Sequence, residues 1–146
     1  MKSYLVLFLM IFCVSCSSNT DESVDIDDAT ILEYIRKHNL TAQKTSSGLY
    51  YVIDKPGTGA NATSNSTVTV NYKLYLTNGN LVEEGKNYTT NLQNVIKGWT
   101  EGFTYFNKDA EGWLLIPSRL GYGSQGTTGI PGGTVLVFGV HLLDFN

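Results

Sequence analysis

"VTVNYKLYLTNGNLVEEG", Val68 to Gly85, is the stretch from which the architecture can be read. In its first part Val68, Val70, Tyr72, Leu74 and Leu76 share one face, while Thr69, Asn71, Lys73 and Tyr75 share the other. That period of two is a β-strand with one face on a core. Asn78-Gly79 then supplies the positive φ values of a two-residue hairpin turn, so "LVEEG" is predicted to return antiparallel.

Working outward, "GLYYVI" (Gly48 to Ile53) is rich in aromatic and β-branched residues and reads as a strand. "DKPGTGANATSNST" breaks it with Pro, Gly and Asn and reads as an exposed loop. Two more strands follow toward the C-terminus, "GWLLIP" (Gly112 to Pro117) and "TVLVFGVHLLDF" (Thr134 to Phe145). In the second, Leu136, Phe138, Val140 and Leu142 align on one face. The loop between them, "SRLGYGSQGTTGIPGG", holds six of the 15 glycines.

Trp99 to Phe106 is left for a short helix, with Phe103 and Phe106 spaced to bury against the sheet. Upstream, "DDATILEYIRKHN" reads as another helix, capped by Asp27 or Asp28, with an apolar stripe of Ile31, Leu32, Tyr34 and Ile35 and a stop at Asn39. The expected fold is α+β, a mostly antiparallel sheet wrapped on one short helix with an N-terminal helical extension. The expected organisation is a leader over 1–15, a tether over 16–27, a helical extension over 28–45 and one domain over 46–146.

A chain of 146 residues, 42% hydrophobic and 16% charged, can bury one substantial core. Lys2, the apolar run Leu5 to Val14 and Ser15-Cys16 read as an n-region, an h-region and a cleavage point. The run is too short to span a bilayer. Cys13 and Cys16 are the only cysteines, so the folded part has no thiol for a disulfide, catalysis or metal binding. A small residue just before Cys16 resembles the bacterial lipobox, with Cys13 at the usual Leu position as a departure.

Acylation of Cys16 makes "SSNTDESVDI" a tether, about 18 Å long as a flexible coil. Without Lys2 the chain carries 9 basic and 13 acidic residues, a net of −4. That balance, with no Lys or Arg cluster, argues against a nucleic-acid partner.

Hydrolytic chemistry finds little here. The only histidines are His38, in the last turn of a helix, and His141, on the strand face opposite Phe138; neither has a nucleophile or carboxylate partner by spacing. No ligand spacing suggests a metal, and no cofactor is expected. "GYGSQG" lies between strands with no Lys-Ser/Thr after it, so it is a weak phosphate-loop candidate. The 12% of Phe, Trp and Tyr is the feature that needs a function.

In order, type and spacing, "VTVNYKLYLTNG", "NVIKGWTEGF", "GWLLIPSRLGYG" and "GIPGGTVLVFGVHLLDF" resemble the FKBP-type peptidyl-prolyl isomerases over about Leu49 to Phe145. The helix before them and "KTSSGLYYVI" resemble the N-terminal extension of lipoprotein members from Gram-negative bacteria. The resemblance implies a bent antiparallel sheet on a short helix, with a hydrophobic pocket between. It makes Trp99 the pocket floor and Tyr72, Val95, Ile96, Tyr122, Ile130 and Phe138 its other positions. The Ile96 backbone N–H and the Tyr122 hydroxyl become the donors to a bound peptide.

It further implies a monomeric isomerase for proline-containing exported polypeptides, held by an N-terminal lipid at the bacterial envelope, on the periplasmic or outer side of the outer membrane. The departures fall on one wall. Val82 and Glu83 stand where family members place Phe-Asp, the segment from Glu83 to Val95 is about six residues short, and Thr90 falls near an expected aromatic. Asp109 replaces a turn glycine, and Gly132-Gly133 follow the loop proline where a second proline is common. One shallow wall and reduced activity are expected. A tethered chaperone or adaptor using the same pocket is the alternative, and an aromatic carbohydrate-binding lipoprotein is disfavoured because Tyr72 and Phe138 point inward.

Overall fold

A computed structural model describes residues 20–146. The leader, Cys16 and the start of the tether lie outside the described residues. Six strands form one antiparallel sheet: β1 (Gln43–Lys44), β2 (Tyr50–Lys55), β4 (Thr67–Leu76), β5 (Leu81–Asn91), β7 (Glu111–Ile116) and β8 (Leu136–Phe145), in the order β1-β2-β7-β8-β4-β5. Helix α2 (Lys97–Gly102) lies against one face, here the inner one. Val68, Val70 and Leu74 of β4, Leu114 and Ile116 of β7, and Leu136, Phe138, Val140 and Leu142 of β8 meet Trp99, Phe103 and Phe106 there.

Two glycines bring α2 close to the sheet. A Cβ on Gly98 would stand 2.4 Å from Ile116 Cγ2, and one on Gly102 2.7 Å from Leu114 Cδ2. Four residues apart, they form one bare helical stripe against β7. The α-helix is shorter than the expected Trp99–Phe106 segment and starts earlier; Phe103–Tyr105 continue it as a 3₁₀ turn.

The loop read between Asp54 and Thr67 contains β3 (Thr58–Asn61), which pairs with β6 (Asn107–Lys108) in a separate two-stranded sheet. The hairpin after β4 is also wider than a two-residue turn. The Gly79 N–H donates to Leu76 O and the Leu76 N–H to Asn80 O, with Gly79 alone at positive φ, +90°. This is a type I turn closed by a glycine bulge, which needs positive φ only once.

Helix α1 (Thr20–Lys37) begins before the expected cap, so residues 20–27 continue the helix instead of forming a coil. Asp27 is interior to α1 and buried, whereas Leu32, assigned to the apolar stripe, is 48% exposed. The buried stripe runs Asp27, Ile31, Tyr34, and a carboxylate within it hid the true start. Asn39, at φ +51°, does end the helix: the Leu40 N–H returns to Ile35 O as in a Schellman motif.

This helix covers the outer face of the sheet, where Ile31 and Tyr34 pack with Tyr50, Val52, Leu115, Val135 and Val137. The sheet is therefore buried on both faces around β7 and β8. Consecutive apolar runs such as Leu114-Leu115-Ile116 follow from that, because each face of the strand meets a core.

Candidate active site

Tyr72, Glu83, Tyr88, Asn94, Val95, Ile96, Trp99, Tyr122 and Phe138 line a pocket of about 280 Å³ on the inner side of β4. The structure thus brings together seven of the sequence-derived site residues: Tyr72, Glu83, Val95, Ile96, Trp99, Tyr122 and Phe138. Trp99, 4% exposed, is the hub. Its ring meets Tyr72 at 5.1 Å, Phe138 at 5.3 Å and Phe103 at 5.1 Å, all edge to face. Such contacts orient rings beyond what area burial does. Its indole Nε1–H is enclosed with no acceptor among the described residues.

Val82 and Ile130 are not in the lining. Ile130 is buried in the main core, in a tight turn where it exchanges both backbone hydrogen bonds with Thr127. Val82 packs against the same core, opposite no residue of β4, because the pairing shifts between Leu74 and Tyr75.

A second shift in the same ladder shapes the pocket. Val70 pairs with Tyr88 but Tyr72 pairs with Gly85, so Lys86 and Asn87 together face Asn71. Asn87 takes φ +51°, and its N–H donates to Asn71 Oδ1 at 2.8 Å. This bulge puts Tyr88, Gly85 and Glu83 on the inner side of β5. Gly85 is required there, because a Cβ would stand 2.4 Å from Tyr72 Cε1.

Tyr88 consequently forms the wall that was expected to be shallow, with its ring 6.4 Å from Trp99 and 5.8 Å from Tyr72. Thr90, two residues on, pairs with Val68 instead. The sequence reading missed Tyr88 and Asn94. A bulge of two exposed residues leaves no hydrophobic period to signal it.

The polar groups sit at the rim. The Tyr72 hydroxyl donates to Glu83, which thus makes a contact to the pocket at the position where the resemblance gives an aspartate. Burial, then the hydrogen bond to Glu83, raises the Tyr72 phenol well above its ordinary value. Burial also raises Tyr122, with the nearby Glu83 charge adding to it, so that phenol stays a donor. Neither the Tyr122 hydroxyl nor the Ile96 N–H has a protein acceptor among the described residues. Of the two histidines, His38 stacks on Tyr34 and His141 lies in β8, paired across to Glu111 and Asn71; neither lines the pocket.

An antiparallel sheet over a short helix, with an aromatic cup floored by a tryptophan, defines a class. The chain belongs to the FKBP-type peptidyl-prolyl cis-trans isomerase family, whose model matches residues 59–143. It is 45% identical over 106 residues to FkpA of Buchnera aphidicola subsp. Schizaphis graminum, covering 69% of this chain and 42% of that protein. To FkpA of Escherichia coli K12 it is 42% identical over 106 residues, covering 69% and 39% respectively. The chain therefore spans about two fifths of the length of these curated relatives.

The crystal structure of Escherichia coli FkpA aligns with a TM-score of 0.74 at 34% identity, covering 86% of this chain and 62% of that one. A peptidyl-prolyl cis-trans isomerase of Pseudomonas syringae pv. tomato aligns at 0.76 with 25% identity, covering 90% and 99%.

Proposed function

We propose that this chain is a peptidyl-prolyl cis-trans isomerase that works without a covalent intermediate. The observation that carries the reading is the aromatic cup of Tyr72, Tyr88, Trp99 and Phe138 with two donors at its edge, Ile96 N–H and Tyr122 O–H, that have no partner among the described residues. The barrier to rotation, about 18–20 kcal/mol, is the loss of amide resonance. Resonance is favoured by water around the planar, charge-separated amide, so a dry aromatic cup around the proline ring favours the twisted form.

Donors at the rim orient the chain on either side of the bond. A thousandfold acceleration asks for only about 4 kcal/mol. Hydrogen bonds of about 1 kcal/mol each that strengthen on twisting, together with loss of the water that favours the planar amide, are of that size. A protease-coupled assay with the chain and a short Leu-Pro peptide is expected to show catalysed isomerisation; no rate above background would sink the reading.

Acylation at Cys16 would place the domain at the bacterial envelope, where its substrates would be exported polypeptides with X-Pro bonds. Uncatalysed, such bonds take tens of seconds to isomerise, which makes a catalyst useful to refolding chains. The support for this is the leader-like segment and the polar run after Cys16. Mass spectrometry of the mature N-terminus is expected to find a diacylglyceryl-modified Cys16; an unmodified or uncleaved terminus would remove the anchor. The non-catalytic chaperone or adaptor reading drew on a missing aromatic wall. Tyr88 stands at that wall, so no specific observation now favours it over catalysis.

A further inference from the structure

We propose that Asp27, on the outer-face helix, is a positioning residue for the pocket donor Tyr122 and acts through Ser118. Asp27 is only 4% exposed, unlike most carboxylates on a surface helix. Its Oδ2 accepts two hydrogen bonds from one residue, from the Ser118 N–H at 2.8 Å and from the Ser118 hydroxyl at 2.7 Å. A buried carboxylate is retained at a desolvation cost that these charge-assisted bonds offset. Both bonds end on the first residue of the 3₁₀ turn Ser118–Leu120, which opens the glycine-rich loop.

From Ser118 the path to the pocket is short. The Ser118 carbonyl accepts the N–H of Gly121 at 2.9 Å and of Gly123 at 2.8 Å, bracketing Tyr122. Gly123 O in turn accepts the Gly133 N–H at 2.9 Å, closing the base of the loop. Glycines have the most conformational freedom to lose, so a loop with Gly121 and Gly123 beside its functional tyrosine is poorly ordered by its own sequence. The clamp on Ser118 supplies that order from outside. Residues of α1 therefore set the direction of a hydroxyl on the other side of the sheet.

The activity readout rests on the isomerase reading above, so the test carries a second readout that does not. In the full chain, Asp27→Ala, which leaves Ser118 without an acceptor, is compared with Asp27→Asn, which keeps an acceptor oxygen. The control is Asp28→Ala, which unties the same helix where Asp28 meets Lys44 at 2.6 Å and Tyr50 at 2.8 Å. Asp27→Ala is expected to lower kcat/KM on a Leu-Pro peptide about tenfold, because small misplacements of an orienting group are costly. Asp27→Asn should recover to within about threefold and Asp28→Ala should stay within about twofold. Amide hydrogen exchange at Gly121 and Gly123 should quicken about tenfold or more in Asp27→Ala alone.

Equal effects of Asp27→Ala and Asp28→Ala, or unchanged exchange at Gly121 and Gly123 in Asp27→Ala, would overturn the proposal. Should Asp27→Ala fail to fold, Ser118→Ala removes one donor with α1 intact. It is expected to quicken the same two amides, and unchanged exchange there overturns the proposal equally. If the unsubstituted chain shows no isomerisation, the isomerase reading fails by itself and the exchange comparison alone decides the role of Asp27.

Discussion

Trp99 touches four other rings, Tyr72, Tyr88, Phe103 and Phe138, while its backbone is held to β7 through Gly98. It is at once core and floor. Trp99→Ala is therefore expected to cost about 3–5 kcal/mol of stability as a buried truncation, and lost activity in that variant would say little. Tyr122→Phe is the cleaner probe. Its hydroxyl has no protein partner among the described residues, so thermal stability should hold while kcat/KM falls about fivefold to tenfold for one lost hydrogen bond.

The pH dependence at this scale has a definite sign. A phenol loses its donor proton as pH rises, and burial moves that loss at Tyr122 above the ordinary 10.0. Any falling limb from Tyr122 in the pH–rate profile should be centred above pH 10.0, measured on protein verified as folded at each pH. A limb centred in the normal tyrosine range would mean an exposed phenol.

Among the elements, β5 carries the most information about the site and showed the least in sequence. In "EEGKNYTTN" no alternation exists to set a register, and the bulge at Lys86-Asn87 is held by one hydrogen bond, from the Asn87 N–H to the Asn71 side-chain oxygen, and by the φ of +51° at Asn87. Deleting Asn87 should leave Lys86 alone opposite Asn71 and restore regular pairing, with Tyr88 and Glu83 still on the inner face and peptide binding retained. In Tyr88→Ala, by contrast, titration of a Leu-Pro peptide by NMR is expected to show binding weakened about tenfold with the sheet amides still dispersed. Gly85→Ala drives a Cβ against Tyr72 and is expected to lower stability by about 1–3 kcal/mol along with activity, read by melting and by rate.

By contrast, β4 and β8 could be read directly. Their inner faces alternate as the residues predict, with Val68, Val70, Leu74, Leu136 and Leu142 all at 1% exposure or less. The hairpin turn was legible as a turn through Asn78-Gly79 but not as a turn type. Which residue takes positive φ depends on the twist of the paired strands, not on the dipeptide alone.

Across the whole molecule, the main gap was the second covered face. Leu115, Val135 and Val137 lie buried under α1, so a helix that reads as an extension completes the fold. The continuous apolar runs in β7 and β8 were the available signal, yet such runs fit several arrangements until a covering element is known. Asp27 defeated the helix reading for a related reason: a carboxylate marks a cap in sequence and becomes a buried clamp only in three dimensions. Tyr72, Ile96, Trp99, Tyr122 and Phe138 were legible as a set because family spacing carries their positions across the intervening loops.

At this scale acid should loosen the docking of α1. The hydrogen bond from Lys44 holds the Asp28 carboxyl below its usual 3.8, so the folded state binds its proton less readily than the unfolded chain. That contribution is complete above pH 3.8 and is lost as pH falls below it, through the lower folded value. Because Lys44 and Asp28 are part-exposed, the effect should be small and weaker in salt. Melting curves below pH 4 at low and high salt should show the difference, and Asp28→Asn should remove it.

NMR exchange spectroscopy on a Leu-Pro peptide with a catalytic amount of the chain, alone and as Tyr122→Phe, needs no coupling protease. Catalysed cis-trans exchange peaks that weaken in the variant are predicted. Exchange no faster than in the peptide alone, with the domain folded, would contradict isomerisation in the Trp99 pocket.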